Sequence, residues 1–161
     1  MAAASEDVAV YLDHNGTTPV AAEVLEAMLP YFREYAGNAS AATSAGRMAR
    51  AAVENARGEV ADLIGATSDE IIFTSGGTEA SNHAIFGFAA ASGSGRKRIV
   101  TSAVEHPATD MPCRRLERAG YEVVRLGVDH DGRVGIAAAA SAIDDTTSLV
   151  TLIHAQNETG T

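Results

Sequence analysis

Short apolar runs alternate with segments of helical period along most of the chain, and this alternation restricts the fold more than any single residue does. The runs Val8 to Leu12, Glu70 to Phe73, Arg98 to Thr101, Tyr121 to Leu126 and Leu149 to His154 read as strands. Residues 19–35, 45–63, 78–91, 108–119 and 136–143 read as helices; in the first, Val24, Leu25, Met28, Leu29 and Phe32 recur at helical spacing. Such an order predicts an α/β fold, a three-layer α/β/α arrangement with a mostly parallel central sheet. Helix 78–91, with Ala84, Ile85, Phe86, Phe88 and Ala89, is expected to be buried on more than one side, and Gly120 to stop helix 108–119.

Parallel α/β sheets gather ligands beyond the carboxyl ends of their strands. The loops 74–78, 102–107 and 154–160 each follow a predicted strand and hold most of the chain's candidate chemistry, so they are expected to meet at one edge of the sheet. In the first loop, Thr74-Ser75-Gly76-Gly77-Thr78 separates the run ending at Phe73 from a helical segment. Adjacent glycines let a ligand approach the backbone, and unpaired N–H groups at a helix start, with the Ser75 and Thr78 hydroxyls, suit an anion such as a phosphate. A simple β-to-α turn capped by Thr78 is the other reading. Neither GxxxxGK[ST] nor GxGxxG occurs, so no triphosphate loop or dinucleotide fingerprint is matched. Near the start, Thr18 reads as the cap of a helix opened by Pro19.

Composition removes several classes. The formal net charge is −9, from 21 acidic and 12 basic residues, and the only dense basic cluster is Arg96-Lys97-Arg98 beside a turn, which argues against nucleic acid as a partner. The single cysteine, Cys113, leaves neither an internal disulfide framework nor a thiolate metal site, and no metal is expected. Residues 1–7 show no secretory pattern and no apolar run is long enough to span a bilayer, so no membrane association is expected and the cytoplasm is the expected compartment. His106 reads from local sequence as a loop histidine, His83 and His154 as packing or hydrogen-bonding residues, and His130 as solvent-facing.

Taken in order, Tyr11-Leu12-Asp13-His14-Asn15-Gly16-Thr17-Thr18-Pro19, Gly37-Asn38-Ala39-Ser40, Phe73-Thr74-Ser75-Gly76-Gly77-Thr78-Glu79-Ala80-Ser81-Asn82, Thr101-Ser102-Ala103-Val104-Glu105-His106 and His154-Ala155-Gln156-Asn157-Glu158-Thr159-Gly160 closely resemble the cysteine desulfurase and selenocysteine lyase family. These are fold-type I pyridoxal 5′-phosphate (PLP) enzymes of the class V aminotransferase superfamily. The resemblance implies that Gly77 and Thr78 hold the cofactor phosphate while Ser75 and Gly76 shape the turn. It implies that His106 stacks on the pyridine ring and carries protons as the catalytic residue, that Asn157 bonds near the ring hydroxyl, and that Asn15, Gly16 and Thr17 line the substrate side. The implied activity is removal of sulfur from L-cysteine to give alanine, with selenocysteine lyase, another class V aminotransferase-like enzyme, or a non-catalytic association module as alternatives. The implied partners are a cysteine or selenocysteine substrate, a second copy in a homodimer, and a sulfur-acceptor protein.

The chain departs from the family pattern at Ala39, where proline is usual, at Thr43, where a histidine is usual, and at Gly16, where alanine is usual. Family members are longer, and their later part carries the aspartate facing the ring nitrogen, a glutamine, the Schiff-base lysine and the mobile cysteine. Lys97, the sole lysine, precedes a strand in a basic turn and is a poor substitute, and Cys113 lies in a predicted helix as a packing residue. Residues 1–18 are accordingly expected to form an N-terminal segment with the substrate-side loop, and 19–161 part of a PLP-dependent transferase large domain, inactive alone.

Overall fold

The computed structural model describes residues 10–14, 16–93 and 95–161, and it divides into two compact units that meet in sequence between Phe73 and Thr74. Asn15, and residues 8 and 9 of the first expected strand, lie outside the described residues.

The first unit contains helices α1 (Ala22–Arg33) and α2 (Ser44–Ile64) and a 3-10 turn, Ser68–Glu70. The sequence explains both ends of α2. Thr43 Oγ1 accepts a hydrogen bond from the Gly46 N–H at 3.1 Å, and Gly65 follows in the left-handed conformation at φ +71°, its N–H returning to the carbonyls of Ala61 and Asp62. Thr43, at the position where the family has histidine, is thus the cap of α2. Gly46 is required where it stands, because a Cβ there would run into the Ala41 carbonyl oxygen and meet that of Asn38 at 2.7 Å. Glu70 closes the 3-10 turn by accepting from the Thr67 N–H at 2.8 Å and hydroxyl at 2.9 Å.

Three local expectations fail in this unit. Thr18 is not the cap of α1; its hydroxyl donates to the His14 carbonyl, and the helix starts after Ala21. Residues 10–12 form no strand, and neither do residues 70–73: Ile71 has extended backbone, but no strand among the described residues pairs with it, and Ile72 is 62% exposed. A strand is a property of a ladder, so an apolar run without a partner remains an extended loop. This loop is held instead by Arg57, whose guanidinium donates to the Ile71 carbonyl and lies 5.0 Å over the Phe73 ring. Helix α1 buries none of its residues; the apolar face that its periodicity foretells is exposed, Phe32 to 74%.

The second unit has the order α3 (Gly77–Ala91), β1 (Arg98–Ser102), α4 (Pro107–Arg118), β2 (Glu122–Leu126), α5 (Ile136–Ala142) and β3 (Thr147–Thr151). The three strands form a parallel sheet in the order β2-β1-β3, flanked by helices, which is the α/β arrangement expected. Strand β1 is central: Arg98 to Ser102 pair with Glu122 to Leu126 on one side, and Ile99 to Thr101 with Leu149 to Thr151 on the other. The core joins Ile99 of β1 to Ile85 and Ala89 of α3 and to Cys113 and Leu116 of α4. Burial pushes the Cys113 thiol up, as suits a packing residue. Helix α3 buries a single stripe, with Phe88 more than half exposed, so it is not covered on several sides as expected. Strand β3 ends at Thr151, three residues before His154, which lies exposed in the following loop. Gly120, at φ +91°, follows α4 as a left-handed stop.

Candidate functional site

The parallel ladder places the carboxyl ends of β1 and β3 side by side, so the loops that follow them meet. The Ile153 N–H donates to Glu105 Oε1 at 2.9 Å, and Gln156 Nε2 donates to the Val104 carbonyl at 3.2 Å. Helices α3 and α4 pack together, and Asn82 joins their starts: its Nδ2 donates to the Thr78 carbonyl at 2.8 Å and reaches the Ala108 carbonyl at 3.4 Å. The result is an open cleft of about 880 Å³ whose lining includes Thr78, Asn82, Phe86, His106 and Met111.

At the α3 end, Gly76 is the N-cap, and glycine has no side chain with which to claim the N–H groups of the first turn. Space is open as well, since a Cβ built at Gly76 or Gly77 would meet nothing within 4 Å. Thr78 occupies the first helical turn and is not the cap; its position beside exposed helix-start donors suits an anion. Ser75 is engaged elsewhere. Its hydroxyl and its N–H both donate to Glu79 Oε2, at 2.6 and 2.7 Å, and these bonds hold the Glu79 carboxyl below its ordinary value. Ser75 therefore shapes the turn through Glu79.

That arrangement has a pH consequence. Glu79 is more acidic folded than unfolded, so the contribution of its bonds is complete above its ordinary carboxylate range and is lost as pH falls through the depressed folded value. The Ser75 amide resonance is expected to titrate with a midpoint below the ordinary glutamate value of about 4.3, and Glu79→Gln to abolish the titration. A midpoint at or above that value would show that the turn does not hold the carboxylate.

At the α4 end, His106 is the N-cap: its Nδ1 accepts the Ala108 N–H at 3.0 Å, and Pro107 occupies the first helical position, where no N–H is needed. This bond requires an unprotonated Nδ1, so the neutral ring carries its proton on Nε2. His106 is exposed on the cleft. Lys97 stands at the opposite end of β1, before Arg98, and is exposed.

The structure thus brings Thr78 and His106 to one cleft. Asn157 does not line that cleft; its Nδ2 donates to Glu158 Oε1 at 3.0 Å, within the compact loop that follows β3. Gly16 and Thr17 belong to the first unit, where their N–H groups donate to the Asp13 carbonyl at 3.2 Å, and Asn15 lies outside the described residues. Sequence reasoning passed over Asn82, Glu79 and Glu105. Asn82 lies four residues after Thr78 on the same helix face, and Glu79 is the third residue of α3, so their spacing could have marked both.

A model of the aminotransferase class-V family matches residues 10–161. The chain is 49% identical over 152 residues to a cysteine desulfurase IscS of Dictyoglomus turgidum, covering 94% of this chain and 39% of that protein. Among solved structures it is similar to a NifS-like protein, with a TM-score of 0.87, 35% identity and coverage of 92% of this chain and 41% of that one. A structure of SspA in complex with cysteine matches with a TM-score of 0.84 and 36% identity, over 92% of this chain and 43% of that one.

Proposed function

The chain belongs to the aminotransferase class-V family, and from that premise we propose that it forms the phosphate-holding and ring-facing part of a PLP-dependent cysteine desulfurase, which removes sulfur from L-cysteine and leaves alanine. The chain spans about 40% of the length of the relatives it matches, so this activity is proposed for the whole protein that such a chain belongs to. The observation that carries the reading is that the open start of α3 and the imidazole of His106 line one cleft.

The donor set fits the cofactor. The N–H groups of Gly77 and Thr78 and the Thr78 hydroxyl would hold the phosphate at the positive end of α3, Gly76 leaves room for it, and Ser75 keeps the turn in shape through Glu79. His106 would face the ring and hold or pass a proton at Nε2 while Nδ1 stays on the α4 cap. Asn157 would bond near the ring hydroxyl from the loop after β3, and Asn15, Gly16 and Thr17 would face the substrate. When bound, PLP supplies an electron sink that makes the bonds around an amino acid's α-carbon breakable. Cysteine is favoured over selenocysteine by the IscS relative, a cysteine desulfurase, and by the structure of SspA in complex with cysteine.

As partners we assign a second copy, for which the exposed apolar face of α1 is suited, and a sulfur-acceptor protein. No helix among the described residues is long and apolar enough to cross a membrane. The cytoplasm is the proposed compartment, where a free thiol such as Cys113 stays reduced.

Phosphorus resonance spectra of PLP titrated with the chain, and displacement of that PLP by pyridoxal added as a competitor, test the phosphate role directly. PLP is expected to bind, pyridoxal without the phosphate to bind at least tenfold more weakly, and Thr78→Val to weaken PLP, since a charge-assisted hydrogen bond is lost. Equal affinity for PLP and pyridoxal would refute the phosphate site at α3.

A further inference from the structure

We infer that Glu105 is a positioning residue of this site, a carboxylate clasp that holds the segment after β3 against the loop that carries His106. Its Oε1 accepts two hydrogen bonds, one from the Ser102 hydroxyl at 2.5 Å and one from the Ile153 N–H at 2.9 Å. Ser102 is the last residue of β1, and Ile153 lies just past the end of β3. One oxygen thus fastens the ends of two neighbouring strands.

Both donors need the acceptor. Ser102 is buried at 3% exposure, and its hydroxyl, whose oxygen accepts the Val104 N–H at 3.4 Å, would be left with an unpaired O–H donor and the desolvation cost of that donor. Ile153 has left the ladder and is only half-exposed, so its N–H has no strand partner to return to. A carboxylate is a stronger acceptor than a carbonyl for both. Gln156 adds a second stitch to the Val104 carbonyl at 3.2 Å.

The consequence for the site is geometric. Glu105 immediately precedes His106, so anchoring its side chain at the sheet edge fixes where the α4 cap, and with it the imidazole, begins. The anchored segment leads within four residues to Asn157. The clasp therefore sets the separation between the two residues assigned to the cofactor ring, an assignment that rests on the function proposed above.

The test is hydrogen exchange and PLP affinity in the full 161-residue chain. In Glu105→Ala, the Ile153 amide is expected to exchange about tenfold faster or more, while the Val100 amide in β1 keeps its rate and PLP binds more weakly. Glu105→Gln keeps an oxygen able to accept both bonds and is expected to restore the Ile153 rate and the affinity. If the alanine protein precipitates, Glu105→Asp, one methylene too short to span both donors, is read in its place. An unchanged Ile153 rate in the alanine protein, a glutamine protein that behaves like alanine, or a Val100 rate that rises together with that of Ile153 would each overturn the clasp. If the unsubstituted chain binds no PLP, the proposed function fails, and the clasp is decided by the exchange rates alone.

Discussion

Replacing His106 with alanine, in a longer protein that carries this chain and makes alanine from cysteine, is expected to lower turnover about 100-fold or more, the scale for losing a positioned proton carrier. The substitution removes two things at once, because Nδ1 caps α4 while Nε2 bears the proton. Loss of the cap alone costs about 1 kcal/mol and would lower the melting point without explaining a lost rate. His106→Asn separates the two effects: its side-chain oxygen can accept the Ala108 N–H, but it has no ring and no comparable proton to give. The asparagine protein is expected to recover the stability and not the rate. Alanine formation and thermal melting of both proteins decide the matter, and an asparagine protein with near-normal turnover would remove His106 from the chemistry.

Ile99→Ala is expected to destabilise the second unit strongly. Ile99 is fully buried in the central strand, where it meets the inward residues of α3 and α4. Truncation of such a side chain costs about 2–5 kcal/mol through lost transfer energy and the cavity left behind, a large share of the roughly 5–15 kcal/mol that holds a typical domain. Ile136, at the start of α5, is 88% exposed, and its replacement by alanine should change stability by no more than about 0.5 kcal/mol. Urea unfolding of the two proteins gives the comparison. Similar midpoints would mean that the core does not lie between β1 and the two helices.

The helices were legible because their signals are local. Helical spacing marks α2, whose caps Thr43 and Gly65 appear only in the structure, and Gly120 stops α4 as expected. The strands were legible only where a partner exists. Arg98 to Thr101 became the centre of the sheet, whereas Glu70 to Phe73, with equally apolar residues, found no ladder. The cap expected at Thr18, and the cap reading of Thr78, fail because a hydroxyl beside a helix start can turn to other groups or stand inside the first turn. The family was legible from ordered motifs, and the match over residues 10–161 agrees with it. The partners of the site residues were not. Glu79 reaching back to Ser75, Asn82 joining two helices and Glu105 joining two strand ends are polar pairings whose direction no periodicity announces.

The strand order β2-β1-β3 also sets an order of events on the ribosome. The middle strand is made first, and its second neighbour, β3, is made last, after the chain has passed through β2 and α5. Once Leu126 has emerged, α3, β1, α4 and β2 can already bury Ile85, Ile99, Cys113 and Leu116 together, which places Thr78 and His106 at their cleft. Glu105 must wait for Ile153. The nascent chain can therefore bring Thr78 and His106 together before the segment after β3, which carries Asn157, is synthesised.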